Sequence, residues 1–120
     1  ILKKRETIMS VYVKNITIDT HSDFSEEFEL MNTNDAPLDL SSYTIHSHLR
    51  KTPSAVGFTT IGIGTNSASE GKITLSIGST DTGKLKPGRH VYDVLVIDSL
   101  NARSVVVEGT AMVRQGITTN

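Results

Sequence analysis

From Val11 onward, apolar and polar residues alternate in short runs with a period of two, and each run ends in a cluster of turn-forming residues. That pattern gives a strand one buried face, whereas an amphipathic helix needs apolar residues three and four apart. Lys72–Ile77 is the clearest run, with Ile73, Leu75 and Ile77 on one face and Lys72, Thr74 and Ser76 on the other. Phe24–Asn32 points Phe24, Phe28 and Leu30 inward and Ser25, Glu27 and Glu29 outward. Tyr43–Lys51 separates Tyr43, Ile45 and Leu49 from Thr44, His46, His48 and Arg50. Two runs change phase. In Ser10–Asp19 the change falls at Lys14-Asn15, which predicts a β-bulge or a strand crossing between two sheets. Val56–Ile63 changes phase between Phe58 and Ile61.

The punctuation completes the outline. Thr33–Pro37 breaks pairing through its turn residues and a proline that lacks an N–H. Leu38 and Leu40 bracket Asp39 and are expected to plug one end of the core. Asn66–Gly71 reads as a loop, Ser79–Thr82 as one short helical turn before Leu85, and Lys86-Pro87-Gly88 as a tight turn. His90–Ser99 and Arg103–Gln115 flank Leu100-Asn101, which predicts a two-residue hairpin. In that register Val96 faces Val105, Val94 faces Val107, Asp98 faces Arg103 and Asp93 faces Glu108. On the other face Leu95 meets Val106, with Val91 and Ile97 nearby. One face of a small sandwich normally meets water, so this apolar patch calls for a cover, either a protein partner or a terminal segment folded over it. About seven short strands and no long helix predict a single two-sheet antiparallel β-sandwich over residues 10–119.

Residues 1–9 fall outside this pattern. Lys3, Lys4 and Arg5 precede Met9 without the apolar stretch and cleavage site of a secretory signal. The expectation is a leader that is either a flexible basic arm or, with Met9 as the natural start, residues 1–8 from an upstream-extended reading frame. Twelve basic against thirteen acidic residues give a net charge of −1, so no general attraction to nucleic acid or anionic membranes is expected. Aromatic residues make up 5% of the chain and tryptophan is absent, which disfavours a base-stacking platform or a stacked-sugar site. No apolar run approaches the ~20 residues of a membrane span. Without cysteine there is no disulfide, thiolate metal site or cysteine nucleophile.

Motifs for chemistry are sparse. His46 and His48 share a strand face, and with His21 or Asp19 they could converge on zinc or iron. Asp93 opposite Glu108 is a carboxylate pair suited to acid–base work or to holding a cation. Gly62-Ile63-Gly64 lacks the helix and Lys-Ser/Thr pair of a phosphate loop. Asn15-Ile16-Thr17 matches the glycosylation pattern inside a strand, and no Gly-x-Ser-x-Gly elbow exposes a serine. The expectation is therefore no catalytic, cofactor or metal residues, and a protein interface at Val91, Leu95, Ile97 and Val106.

Several stretches resemble small immunoglobulin-like modules of tailed-bacteriophage virion proteins. They are Asp23-Phe24-Ser25 running into Phe28-Glu29-Leu30, Ala36-Pro37-Leu38-Asp39-Leu40-Ser41-Ser42-Tyr43-Thr44, and Leu49-Arg50-Lys51. Gly71–Ser76, Thr82 and Leu85–Val94 look like the family's threonine, leucine, glycine and Tyr-x-Tyr-Asp core, and the last strand ends near Gly109-Thr110 and Ile117-Thr118. The chain departs from the pattern at His90, where tyrosine is usual, and at Ser42, where glycine is usual. These departures put the corner hydrogen bond of such sandwiches in question. The resemblance implies a non-enzymatic virion component of the tail, baseplate, neck or fibre attachment region, made in the host cytoplasm. It implies other virion proteins as partners, with a homo-oligomer as one form. The alternative is an extracellular immunoglobulin- or fibronectin-like module for adhesion or glycan binding, with calcium at Asp19, Asp23 or Asp81. A cupin-like metal enzyme using His46 and His48 is a third reading.

Overall fold

A computed structural model describes residues 11–32 and 36–118, so the expected leader and residues 33–35 of the expected turn lie outside the described residues. The strands are β1 (Tyr12–Val13), β2 (Ile16–Asp19), β3 (Phe24–Glu29), β4 (Thr44–Arg50), β5 (Thr59–Thr60), β6 (Gly62–Ser67), β7 (Lys72–Ile77), β8 (Gly88–Ile97) and β9 (Arg103–Arg114). A 3-10 turn over Ala68–Glu70 replaces part of the expected loop before β7, and the expected helical turn, α1, spans Ser79–Thr82. The larger sheet runs β1–β9–β8–β4–β5, with β2 joining β9 beyond β1, and the smaller runs β3–β7–β6.

Alternation places the core between these layers. Ile73, Leu75 and Ile77 of β7 are buried, as are Tyr92, Val94 and Val96 of β8 and Ala111 and Val113 of β9. Leu38 and Leu40 are buried in the same cluster, as expected of an end plug. At the opposite end the Asp23 carboxylate accepts the Ser79 N–H at 2.8 Å and satisfies a free donor of α1. Buried Thr82 donates its hydroxyl to the Ser22 carbonyl at 2.8 Å, which ties α1 to the β2–β3 turn. The unusual His90 does make a corner bond: its Nε2 lies 2.8 Å from the Lys86 carbonyl. A carbonyl can only accept, so Nε2 carries the proton.

The phase changes have different causes. At Ile61 the chain leaves the larger sheet after β5 and enters the smaller as β6, burying Ile61 between them. Val56–Phe58, expected to begin that strand, lies in the preceding loop. At Lys14-Asn15 there is neither a bulge nor a crossing. Tyr12 pairs with Val107 and Ile16 with Ala111 in one parallel register, the exception among otherwise antiparallel ladders. The alternation breaks because the Lys14 carbonyl turns over Gly109 and accepts the Tyr92 hydroxyl at 2.6 Å, while the Asn15 side chain accepts the Thr110 N–H at 3.1 Å.

The last hairpin also differs from expectation. Asn101 donates its N–H to the Asp98 carbonyl and Asp98 donates its own to Ala102, with Asn101 at φ 65°. This is a three-residue loop closed by a left-handed residue, with Asn101 in the conformation that asparagine tolerates better than most side chains. The Asp98 carboxylate accepts the N–H groups of Leu100 and Ala102, each at 2.9 Å, so it serves the turn rather than facing Arg103. Arg103 pairs instead with Ile97, Ser104 with Val96, and Val105 with Leu95. A bulge at Val106 restores the expected pairing at Val94 with Val107 and Asp93 with Glu108.

Two predictions test the Tyr92 lock. A Cβ at position 109 would run into the Lys14 backbone, so Gly109→Ala is expected to cost about 1–3 kcal/mol in urea unfolding. Burial raises the Tyr92 phenol to about 12 from an ordinary 10.0, with Glu26 and Tyr12 adding to the effect. Between those values the unfolded chain has lost a proton that the folded chain keeps, so this contribution to stability falls as pH rises from about 10 to 12. Tyr92→Phe should cost about 1 kcal/mol at neutral pH and flatten that alkaline fall, measured as the difference between the two proteins.

Candidate functional site

The outward residues of β4, β8 and β9 form one face of the larger sheet. Strand pairing sets them in four rows. Arg50, Val91 and Thr110 make the first; His48, Asp93 and Glu108 the second; His46, Leu95 and Val105 the third; Thr44, Ile97 and Arg103 the fourth. Val13 of β1 pairs with Glu108 and extends the second row. An open groove of about 920 Å³ runs over this face, with Val13, Val91 and Leu95 among its walls and Asp93 and Glu108 along its length.

Of the expected interface residues, Val91, Leu95 and Ile97 are partly exposed here. Val106 is not. As the bulged residue it turns inward and joins the core at 4% exposure, and Val105 takes the place expected for it beside Leu95. The bulge has a second effect. It brings Arg103 and Glu108, five positions apart, onto the same outward face, where strict alternation would part them.

The β4 end of the groove is built by the loop over residues 51–58. Arg50 Nη1 donates to the Ala55 carbonyl at 2.6 Å and to that of Val56 at 3.3 Å. Its guanidinium lies 4.6 Å from the centre of the Phe58 ring, which stacks on His48 at 3.9 Å and 13°. Arg50 Nη2 makes a long contact of 3.4 Å with His48 Nδ1, an arrangement in which Nδ1 accepts and Nε2 carries the proton. Sequence reasoning missed this stack. The signal available was Phe58, an aromatic after Gly57 in a stretch opened by Thr52-Pro53-Ser54, shortly after Arg50.

The candidate chemical residues do not assemble. His46 and His48 lie opposite Leu95 and Asp93 on this face. His21 packs beside Gly83 near α1. Asp19 takes a two-pronged contact from Arg114, at 2.7 and 3.1 Å, and that hydrogen bonding holds its carboxyl below the ordinary value. Asp23 accepts from Ser79, and Asp81 lies 3.8 Å from Lys84. Among the described residues no three His, Asp or Glu side chains converge as a metal site would require. Asp93 and Glu108 do face each other as expected, and among the described residues neither has an ion-pair partner. Ser47, buried behind this face, donates its hydroxyl to the Asp93 carbonyl at 2.6 Å.

No known protein family matches the chain, and no curated protein is similar to it in sequence. Among solved structures, the adhesin SrpA of Streptococcus sanguinis superposes with a TM-score of 0.52 at 9% identity, over 94% of this chain and 60% of that one. The chain thus spans less than two thirds of that protein's length. The filamin domain of Lin-41 gives 0.46 at 14% identity over 83% and 84%. The N-terminal four Ig domains of Dscam1 give 0.40 at 7% over 91% and 24%. At these identities the likeness concerns fold alone. The chain is an all-β, two-sheet immunoglobulin-like sandwich, in which β3, β7 and β6 form one sheet and β4, β8 and β9 the centre of the other.

The stack at the groove's end is testable. Arg50→Ala removes the donor to Ala55 and Val56 and the cation over Phe58. Amide exchange within residues 52–58 should accelerate about tenfold, the effect of losing one to two kcal/mol of local restraint, while exchange in β7 stays unchanged.

Proposed function

We propose that this chain is a non-enzymatic structural module that works by protein–protein docking through the outward face of its larger sheet. The observation that carries the reading is the contrast between the two outward faces. The smaller sheet turns Ser25, Glu27, Glu29, Lys72, Thr74 and Ser76 outward, a surface suited to water. The larger turns out Leu95, Val105 and Ile97 in neighbouring positions, with Val91 on the same face beyond the row of Asp93 and Glu108. Desolvating such side chains contributes about 25 cal/mol per Å² of apolar area, which makes this face the better docking surface.

The finer reading is a component of a tailed-phage virion, in the tail, baseplate or neck, with other virion proteins as partners. It is supported by the resemblance carried by Ala36–Thr44 and Leu85–Val94, and by the fit of a small sandwich with one adhesive face to a repeated assembly. Purified particles should contain the chain in a fixed copy number, counted by quantitative mass spectrometry against the major capsid protein. Particles without it would overturn the virion reading.

The docking face has its own test. Leu95→Asp places a charge at the centre of the apolar row but outside the core. The variant should keep the wild-type circular dichroism and melting behaviour while losing association measured by light scattering. Association that survives in the folded variant would place the contact elsewhere.

A further inference from the structure

The outward face of the larger sheet is self-complementary, and we propose that its occupant is a second copy of this chain, packed face to face across a two-fold axis. The inference rests on the docking reading above and specifies the partner and its orientation. The axis lies along the row of Leu95 and Val105, crossing the strands, so that β9 of one copy lies antiparallel over β9 of the other.

Arg103 and Glu108 dictate this orientation. Because of the bulge, both point outward, one row to either side of Val105. A two-fold axis through the Val105 row exchanges those two rows. It therefore sets Arg103 of each copy over Glu108 of the other, making two identical ion pairs, while Leu95 and Val105 meet their own counterparts between them. An isologous interface requires this reciprocity: each residue must contact a position whose counterpart returns the contact.

The arrangement also resolves an unfavourable feature of the single chain. Asp93 and Glu108 are like charges in directly opposed strand positions, a pairing that opposes sheet formation. In the pair of chains the second copy's Arg103 meets Glu108, while Asp93 lies opposite the second copy's Ile97, one strand from that guanidinium and within its reach. Arg103 is itself exposed, and no ion pair engages it among the described residues. Arg50 is held by Ala55, Val56 and Phe58 and lies outside the exchanged rows, as does Arg89, which pairs with Met112 further along β8.

The overlap is small. With the axis on the Leu95 row, residues 93–97 of β8 lie over their counterparts. Four strands at ~4.8 Å spacing and a strand length of about five residues at ~3.3 Å give roughly 300 Å² in projection, below the ~800 Å² per partner of a standard interface, and the expected dimer is weak. Two such faces can stack with nearly aligned strands, as sheets do inside a sandwich.

Charge reversal provides the test, read by sedimentation equilibrium over a range of concentrations. Arg103→Glu alone sets carboxylates against Glu108, and Glu108→Arg alone sets guanidinium groups against Arg103. Each single variant should weaken self-association at least about tenfold, and the double variant should return to within about threefold of wild type. Mixing the two single variants should give a heterodimer, since one copy then carries two acids where the other carries two bases. Circular dichroism of each variant shows that it is folded. A wild-type chain that stays monomeric at ~1 mM overturns the proposal but leaves docking to a different protein standing. A dimer that dissociates with Leu95→Asp but ignores every charge reversal keeps the face and overturns this orientation. A dimer indifferent to both overturns the face as well.

Discussion

The Tyr92 hydroxyl on the Lys14 carbonyl is the contact on which the candidate site most depends. It reaches from the middle of β8, past the side-chain-free Gly109 of β9, to the link between β1 and β2. Parallel pairing at a sheet edge involves few residues here, two in β1 and four in β2. The buried phenol, the Lys14 N–H on the Glu108 carbonyl and the Asn15 side chain on the Thr110 N–H together hold the edge in register between the two short strands. Val13, a wall of the groove, comes with that edge. Any residue with a Cβ at position 109 would lift the strand and open the groove's side.

The bulge at Val106 has the same standing on the opposite flank. A three-residue hairpin loop offsets the pairing of β8 and β9 by one residue near the turn. The extra residue at Val106 recovers it, burying that valine and changing the parity of everything beyond it. The outward face owes its composition to this exchange. Without it Arg103 and Glu108 could not both face outward, and the apolar row would contain a different valine. A local irregularity of backbone thus sets the chemistry of the whole surface, which is a common role of β-bulges.

Much of the fold was legible because burial imposes its period directly. β7 appears at its expected limits, Lys72–Ile77, and β4 keeps His46, His48 and Arg50 on the face opposite Leu49. Ser79–Thr82 forms its turn because Thr82 and Asp23 have backbone partners to satisfy. What could not be read were events that depend on atoms far apart in the chain. The parallel course of β1 and β2 is set by the C-terminal strand, and the interruption at Lys14 by a tyrosine 78 positions away. The hairpin was misread because Leu100-Asn101 fits a two-residue turn, while the Asp98 carboxylate favours one residue more by accepting two N–H groups. That single residue moved the expected interface from Val106 to Val105. The Phe58 stack escaped notice because neither alternation nor turn chemistry reports on a ring folding back over a strand.

The docking proposed for the outward face of the larger sheet has a direct readout. Methyl-resolved NMR across a concentration series tests it most directly, since the methyl groups of Val91, Leu95, Ile97 and Val105 all lie on that face. Docking through this face should make these four shift together and saturate as chains associate, while the Thr74 methyl on the smaller sheet stays unchanged. Saturating shifts confined to Thr74 and its neighbours, or to the loop ends around Val56 and Leu100, would contradict it.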